Sequence, residues 1–297
     1  MLGYEGYGRI KGATVLCTSG EIRLDRARID SSAVYGGARE GANAPVGGIH
    51  FYDWPNVTGE ISFDVTPASL SVLREICLAR DTPFPVEINT RRNGKSSVEK
   101  AWWNSVTLSA SEDSPVTASV SFTAISRDEF TSGDFAGHWS NVNGLLGSNC
   151  NGFSGLGPLN PSQGNNAPIP FWRTSVEGTE NVRRWTVSLS QDVVRFMACQ
   201  NISGQSASSP FLFGVGVMNG TFTYSTLPPS TSFPEIKAMP DVFSQIQVTS
   251  SRKSFTVRVA GATAFGLSCE INAPSDPLVQ GGQISEIAWD WQIYKIS

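Results

Sequence analysis

The sequence is poor in the side chains from which catalytic and metal sites are usually built. It contains two histidines, His50 and His138, and neither is spaced with cysteines or carboxylates as a metal-ligand set requires. The glycine-containing signatures of nucleophile elbows and phosphate-binding loops are missing as well. We therefore expect no catalytic residue, no metal ion and no cofactor.

Carboxylate pairs are the one catalytic arrangement that the sequence leaves open. Glu60, Asp64, Glu286 and Asp290 fall on the polar side of alternating segments, where a solvated charge is the ordinary role. The two carboxylates of a glycosidase are defined by their separation in space, which the order of residues does not give. An enzyme with such a pair in a cleft is the third-ranked hypothesis.

The cysteines indicate a chain made in a reducing compartment. They are odd in number and far apart, whereas secreted disulfide scaffolds are denser and usually even in count. We interpret them as thiols of a protein made in the cytoplasm, with intermolecular disulfides as the open alternative. The first eight residues lack the pattern of a secretion signal, and no apolar run is long enough for a membrane span. The cysteines are Cys17, Cys77, Cys150, Cys199 and Cys269.

The composition is that of a folded protein with few charges. Of the 297 residues, 40 % are hydrophobic and 16 % are charged, and the net charge is −4. This apolar content is sufficient for a core and excludes general disorder. A mildly acidic chain without a basic patch is not expected to recognise duplex DNA.

Alternating apolar and polar residues predict many strands, and one segment predicts a helix. Ile61 and Phe63 share one face of the segment 58–65, and a similar alternation covers residues 116–124. Thr66 and Pro67 form a helix start, and an apolar stripe follows up to Arg80. The predicted core residues are Ile61, Phe63, Leu73, Ile76, Phe122, Phe222, Tyr224, Trp289 and Trp291.

Two parts of the sequence repeat one another around a segment of different composition. Residues 57–67 align with residues 218–228, and residues 118–124 align with residues 287–293. Between the repeats, residues 131–166 are rich in Gly and Asn. We predict a mainly β protein of two tandem β-sandwich or barrel domains, 1–130 and 169–297, joined by a connector over 131–168. The first domain has one short flanking α-helix. One large β-sandwich is the alternative.

The first half resembles the tail tube proteins of long-tailed bacteriophages. The resemblance covers residues 8–126, with a looser copy over 170–297, and it depends on an ordered set of features. A first strand over 22–29 is followed by a long Gly- and Ala-rich loop over 31–54. The strand Val57-Thr-Gly-Glu-Ile-Ser-Phe63, the helix over 67–80, a hairpin and the closing strands over 104–122 come next.

This resemblance implies a structural virion protein and no enzyme. In that family, tail tube domains form rings, either hexamers or trimers of two-domain chains that act as pseudo-hexamers, and the stacked rings enclose a channel for DNA passage. It implies self-assembly in the host cytoplasm, with tail sheath, tape-measure and baseplate proteins as further partners. DNA passes through the lumen without specific binding, and no membrane takes part. The loop implied to contact the next ring includes Ser31, Tyr35, Arg39, Glu40, His50 and Trp54, with residues 200–213 as its second-half counterpart.

Two further roles stay open at this point. A tube-initiator, baseplate or tail-terminator ring protein has the same fold and is the second-ranked hypothesis. A carbohydrate-binding β-sandwich belongs to a different class of protein, because its aromatic side chains stack on sugars instead of filling a core. Rings or tubes favour the first class, and a soluble monomer that binds glycans favours the second.

Overall fold

The structure is a computed structural model that describes residues 6–25, 28–30, 50–52, 56–90, 94–124, 167–179, 182–197, 211–226, 252–275 and 287–297. These ranges are mainly β, as the sequence predicts, and contain fourteen strands and one α-helix. None of their helices is long and apolar enough to cross a bilayer. The strands are β1 (Gly6–Ile10), β2 (Ala13–Asp25), β3 (Arg28–Asp30), β4 (His50–Tyr52), β5 (Asn56–Asp64), β6 (Phe84–Thr90), β7 (Gly94–Ser111), β8 (Ser114–Ala124), β9 (Thr174–Glu177), β10 (Val182–Met197), β11 (Phe211–Thr226), β12 (Arg252–Val259), β13 (Ala262–Ser275) and β14 (Ile287–Ile296), and the helix is α1 (Pro67–Leu78).

The first half of the chain forms a closed barrel of six strands. The order is β6-β1-β2-β5-β8-β7, and the first part of β7 pairs again with β6. Alternation explains which side chains fill it, because successive residues of a strand point to opposite faces. Ile61, Phe63 and Phe122 point inwards, and each is 0–1 % exposed.

The helix α1 closes the barrel on one side. Thr66 caps it through a reciprocal pair of hydrogen bonds with Ser69, and Pro67 occupies the first turn. Leu73 and Ile76 are buried, and the indole N–H of Trp103 donates to the Ile76 carbonyl at 2.9 Å. The helix ends at Leu78, two residues before the predicted end at residue 80. Arg80 therefore does not extend the helix and has a different role, described below.

The second half repeats the connections of the first. Its strands have the order β10-β11-β14-β13-β12-β9, which matches β2-β5-β8-β7-β6-β1 strand for strand. In the described residues β9 and β10 are not paired, whereas their counterparts β1 and β2 are. The second half is therefore an open version of the same barrel. The segment at the place of α1, residues 227–251, lies outside the described residues.

The repeat is visible in single residues. Gly59 of β5 and Gly220 of β11 occupy matching positions, and each lies under a large side chain of a neighbouring strand. A Cβ on Gly59 would lie 2.4 Å from Phe122, and one on Gly220 would lie 2.9 Å from Leu189. Gly59 pairs with Phe122, but Gly220 pairs with Ile293, two residues beyond the position that the sequence alignment gives. Because this shift is even, the same side chains still point inwards.

The core of the second half is a cluster of aromatic rings. Phe222 and Phe255 have ring centroids 5.1 Å apart, and Phe255 and Trp291 are 5.0 Å apart at 71°. Tyr224 is 5 % exposed, and burial raises the pKa of its hydroxyl above the usual value. Trp289 is half-buried and packs against the same core. Phe222, Phe255 and Trp291 are buried in this cluster, whereas the exposed aromatic side chains Trp172 and Tyr294 are not part of it.

We predict that Phe63→Asp unfolds the barrel. An unpaired carboxylate in this position is fully desolvated, and we expect a loss of roughly 3–5 kcal/mol in the free energy of unfolding. Chemical denaturation followed by tryptophan fluorescence measures it. Ser62→Asp is the matched control, since Ser62 points outwards from the next position of β5. A Phe63→Asp variant as stable as the control would show that the inward face of β5 is misassigned.

Candidate functional site

A single strand joins the two halves into one sheet. The first part of β7 pairs with β6 inside the barrel, and its last seven residues, 105–111, pair with residues 184–190 of β10. The opposite edge of this same part of β7 pairs with β8. One continuous sheet therefore crosses from the first half to the second. Its strands, in order, are β2, β5, β8, β7, β10, β11, β14 and β13.

One face of this sheet carries mainly hydroxyl groups. On β5, β8, β7, β10 and β11 the residues that alternate with the buried core point to this face, and directly opposed residues form rows across the five strands. We call it the hydroxyl face. Sixteen of its members are Ser or Thr: Thr58, Ser62, Ser105, Thr107, Ser109, Ser111, Thr117, Ser119, Ser121, Thr123, Thr186, Ser188, Ser190, Thr221, Thr223 and Ser225; Glu60, Asp64, Asn104, Arg184, Asp192, Val217 and Asn219 are among the others.

Many of these hydroxyl groups bond to one another across the strands. Ser105 and Ser121 are 2.6 Å apart, and Ser109 and Thr117 are 3.0 Å apart. The pattern continues across the junction of the halves, where the Thr107 and Ser188 hydroxyls are 3.5 Å apart. Cross-strand pairs of this kind stabilise a sheet and also use up hydrogen-bonding capacity that a ligand would need.

The charges on the hydroxyl face are few and of mixed sign. The Ser119 hydroxyl donates to the Glu60 carboxylate at 2.7 Å, and Arg184 donates to the Ser225 hydroxyl at 3.2 Å. Burial raises the pKa of Asp64 above its usual value. The next strand adds Asp290 opposite Thr223. Among the described residues the face therefore has no stripe of positive charge.

A buried glutamine joins the two halves of the chain where β7 meets β10, on the side of the sheet opposite the hydroxyl face. Gln191 is 4 % exposed, and its amide donates to the carbonyls of Trp103 at 2.9 Å and Arg80 at 3.4 Å. The Arg80 guanidinium donates to the Gln191 side-chain oxygen at 3.3 Å and to the Gly216 carbonyl at 2.6 Å. Arg80, predicted to end the helix, thus connects the end of α1 to both strands of the β10–β11 hairpin.

A shallow cleft opens on the hydroxyl face where β2 runs along β5, and Thr58 and Ser121 of that face belong to its lining. Its volume is about 440 Å³, and Glu21, Arg23, Glu60 and Asn104 contribute to its lining. Glu21 and Glu60 are directly opposed on β2 and β5, and Arg23 forms an ion pair with Glu21. No set of three or more His, Cys, Asp or Glu side chains within the described ranges is arranged to hold a metal ion.

The residues predicted for the ring-stacking loop fall almost entirely outside the described ranges. Ser31, Tyr35, Arg39, Glu40 and Trp54 are in this group, and His50 is the first residue of β4, which pairs with β3. Of the four carboxylates weighed as catalytic pairs, Glu286 also lies outside the described ranges, as does His138.

The strand directions place two hairpin ends on the same side of the sheet. Neighbouring strands are antiparallel from β2 through to β10, so β2 and β10 run in the same direction. The chain therefore leaves the sheet at the same end after Asp25 of β2 and after Met197 of β10. The segments implied as ring-stacking loops, 31–54 and 200–213, follow these two points in the sequence. Both implied loops are too long, because residues 50–52 form β4 and residues 211–213 begin β11, where they pair with β10.

The three described cysteines are free thiols. Burial raises the pKa of Cys17 to about 11 and that of Cys269 to about 12, and it raises the pKa of Cys77 further. A thiol with such a raised pKa has little thiolate at neutral pH and reacts slowly.

We predict that Gln191→Leu destabilises the protein by about 1–3 kcal/mol, because it leaves buried polar groups of both halves without their partner. Chemical denaturation measures the loss. The matched control is Gln292→Leu, which removes a half-buried glutamine from the outward side of β14 and should cost less than about 0.5 kcal/mol. Equal losses for the two variants would contradict the role of Gln191.

We predict that Asp64→Asn stabilises the protein at neutral pH by less than about 1 kcal/mol, since the half-exposed charge is partly screened. The folded-state pKa of Asp64 lies above its ordinary value of 3.8, so the folded state binds more protons between these two values. Wild-type stability should therefore rise as the pH falls through this window. The free energy of unfolding, measured between pH 4 and 7, should lose this pH dependence in Asp64→Asn. The control Asp113→Asn, which removes a charge from the exposed β7–β8 turn, should keep it.

Comparison with known proteins gives little beyond the general architecture. No family model matches the chain, and no curated protein matches it. Thirteen chains of solved structures do match. One belongs to the tail of an empty GTA particle with C6 symmetry; it is 13 % identical, covers 39 % of this chain and 81 % of its own length, and has a TM-score of 0.29. A TM-score this low carries no argument about function.

Proposed function

We propose that the chain is a structural protein of a bacteriophage tail, the repeating subunit of the tail tube, and not an enzyme. Its copies join side by side into rings, and the rings stack into a tube through which DNA passes. The observation that carries this proposal is the hydroxyl face, which continues without a break from the first half of the chain to the second.

A surface of this composition suits the wall of a DNA channel. Proteins that hold DNA do so mainly by placing Lys and Arg against its phosphates. The hydroxyl face offers mostly neutral groups, several of them bonded to one another, together with the carboxylates of Glu60 and Asp64 and the guanidinium of Arg184. Phosphates near such a wall meet no fixed cations at regular spacing. DNA therefore slides past it without specific binding.

The repeated strand order supports an assembly with two tube domains in each chain. Four strands of the first half have counterparts in the second, and all eight belong to one sheet. The pairs are β2 with β10, β5 with β11, β8 with β14, and β7 with β13. A ring built from such chains has twice as many domains as subunits. Three chains then form a pseudo-hexamer around one channel, with the hydroxyl face inwards.

Ring stacking is assigned to the two segments that follow the ends of β2 and β10. β2 and β10 end on the same side of the sheet, so we assign both segments to contacts with the same neighbouring ring. Residues 31–54 of the first segment include Tyr35, Arg39 and Glu40, and residues 200–210, which precede β11, are the second segment. Tail sheath, tape-measure and baseplate proteins are the further partners, and the mature location is the virion after assembly in the host cytoplasm.

Electron microscopy of the purified full chain tests the proposal. Negative-stain images should show rings or tubes with a central channel, and mass photometry should show multiples of three above the monomer mass of 31.9 kDa. Rings that never stack would favour a tube-initiator or terminator ring. A stable monomer that binds glycans on an array would overturn the proposal in favour of a carbohydrate-binding protein.

A further inference from the structure

The chain enters the second half through a short segment that is bonded to both halves. We call residues 169–177 the strap; it contains the 3₁₀ turn Phe171–Arg173 and strand β9. The backbone of Ile169 lies between the end of β5 and the start of β8. Its N–H donates to the Val65 carbonyl at 2.9 Å, and its carbonyl accepts from the Val116 N–H at 2.8 Å. Because Ile169 is also 1 % exposed, one end of the strap is built into the first barrel.

The other end of the strap belongs to the second half. β9 pairs with β12, and the Arg173 carbonyl accepts from the Ala260 N–H at 2.8 Å. The Trp185 indole of β10 donates to the Thr174 hydroxyl at 3.1 Å. Trp185 is 1 % exposed, so this bond lies on the core side of the sheet, where the described residues of β9 and β10 have no backbone pairing.

A short bonded turn separates the two anchored ends of the strap. It is the 3₁₀ turn Phe171–Arg173, which lies directly between the residues bonded to the first barrel and strand β9. The Thr174 hydroxyl, which accepts from Trp185, also donates to the Phe171 carbonyl at 2.8 Å. A movement of one half relative to the other must therefore break bonds in the strap.

The strap holds the junction of the halves at one end, and Gln191 holds it at the other. The β7–β10 ladder runs from Arg184 to Ser190 along β10. Gln191 and its bonds to the first half follow Ser190, whereas Trp185, which binds the strap, is next to Arg184. Neighbouring strands twist by roughly 10–35° relative to one another, so a ladder alone leaves the angle between two halves adjustable. Contacts on the core side at both ends of the ladder fix that angle.

We propose that the strap fixes the angle between the two halves and thereby sets the number of chains in a ring. This inference rests on the proposed function. Contacts between different surfaces of successive copies close into a ring only when the rotation per chain divides a full turn, and otherwise they give an open helix. In a chain with two tube domains, the angle inside the chain is part of that rotation. A chain without a working strap should therefore form rings of several sizes or open assemblies.

Lengthening the strap tests this role. An insertion of Gly-Ser-Gly between Trp172 and Arg173, whose side chains are both exposed, separates the two anchored ends by a flexible stretch. The matched control has the same insertion between Gly12 and Ala13, in the turn that joins β1 and β2 within the first barrel. Circular dichroism should show that both variants have the β content of wild type.

The angle is measured in monomers, independently of assembly. Spin labels at Lys100 and Lys253, which are exposed and lie on different halves, are attached through a keto amino acid so that the native cysteines stay unlabelled. Double electron–electron resonance then gives the distribution of distances between the halves in dilute protein. The strap insertion should broaden this distribution at least about twofold relative to wild type, and the control insertion should leave it unchanged.

Mass photometry of the assembled protein gives the second readout. Wild type and the control insertion should each give one ring mass, and the strap insertion should give several. One ring mass for the strap insertion, or an unchanged distance distribution, in protein whose wild type forms rings would overturn this inference and leave the proposed function standing. A wild type that never assembles would overturn the proposed function and the ring-size role with it.

A milder variant keeps the test valid if the strap insertion does not fold. Trp185→Phe combined with Thr174→Val removes both partners of the bond between β10 and the strap, and the Phe171 carbonyl keeps the Thr174 N–H as its donor. The distance distribution should broaden in this double variant and not in Trp289→Phe, which changes a tryptophan of the same half away from the strap. Equal distributions in the two would contradict the role of the strap.

Discussion

The β7–β10 ladder is the contact on which the arrangement of the molecule depends. A strand of eighteen residues is long enough to serve two partners on one edge, β6 along its first part and β10 along its last seven residues. The first pairing closes a barrel, and the second extends the sheet beyond that barrel. Without the ladder the two halves would be separate β units with separate surfaces, and no common face would exist.

The interactions on the two sides of this ladder differ in kind. On the core side, Gln191 and Arg80 join the halves through bonds to backbone carbonyls, where an unsatisfied group would be costly. On the other side, rows of serine and threonine hydroxyls bond to each other, and the Thr107–Ser188 pair carries the pattern across. The core side fixes the geometry, and the outer side supplies a wide neutral surface for the proposed function.

Much of the fold was predictable from local patterns. Alternation at Ile61 and Phe63 identified an inward face, and the Thr66–Pro67 start identified the helix, because both signals depend on neighbouring residues. The junction was not predictable in this way, since nothing in residues 105–111 shows that their second partner lies in the other half. The role of Arg80 was missed because its partners, Gln191 and Gly216, are more than a hundred residues away. The hydroxyl face had a signal in the Ser and Thr residues between apolar ones, but the sequence does not show that five strands place them side by side.

The central claim is that the hydroxyl face lines a channel. A cryo-electron microscopy reconstruction of the assembled wild-type chain tests it most directly, because the positions of Thr107, Ser188 and Thr221 relative to the ring axis decide the matter. The account predicts that these residues face the open lumen in both halves of every subunit. A ring in which this face points outwards, or is covered by a neighbouring subunit, would contradict it.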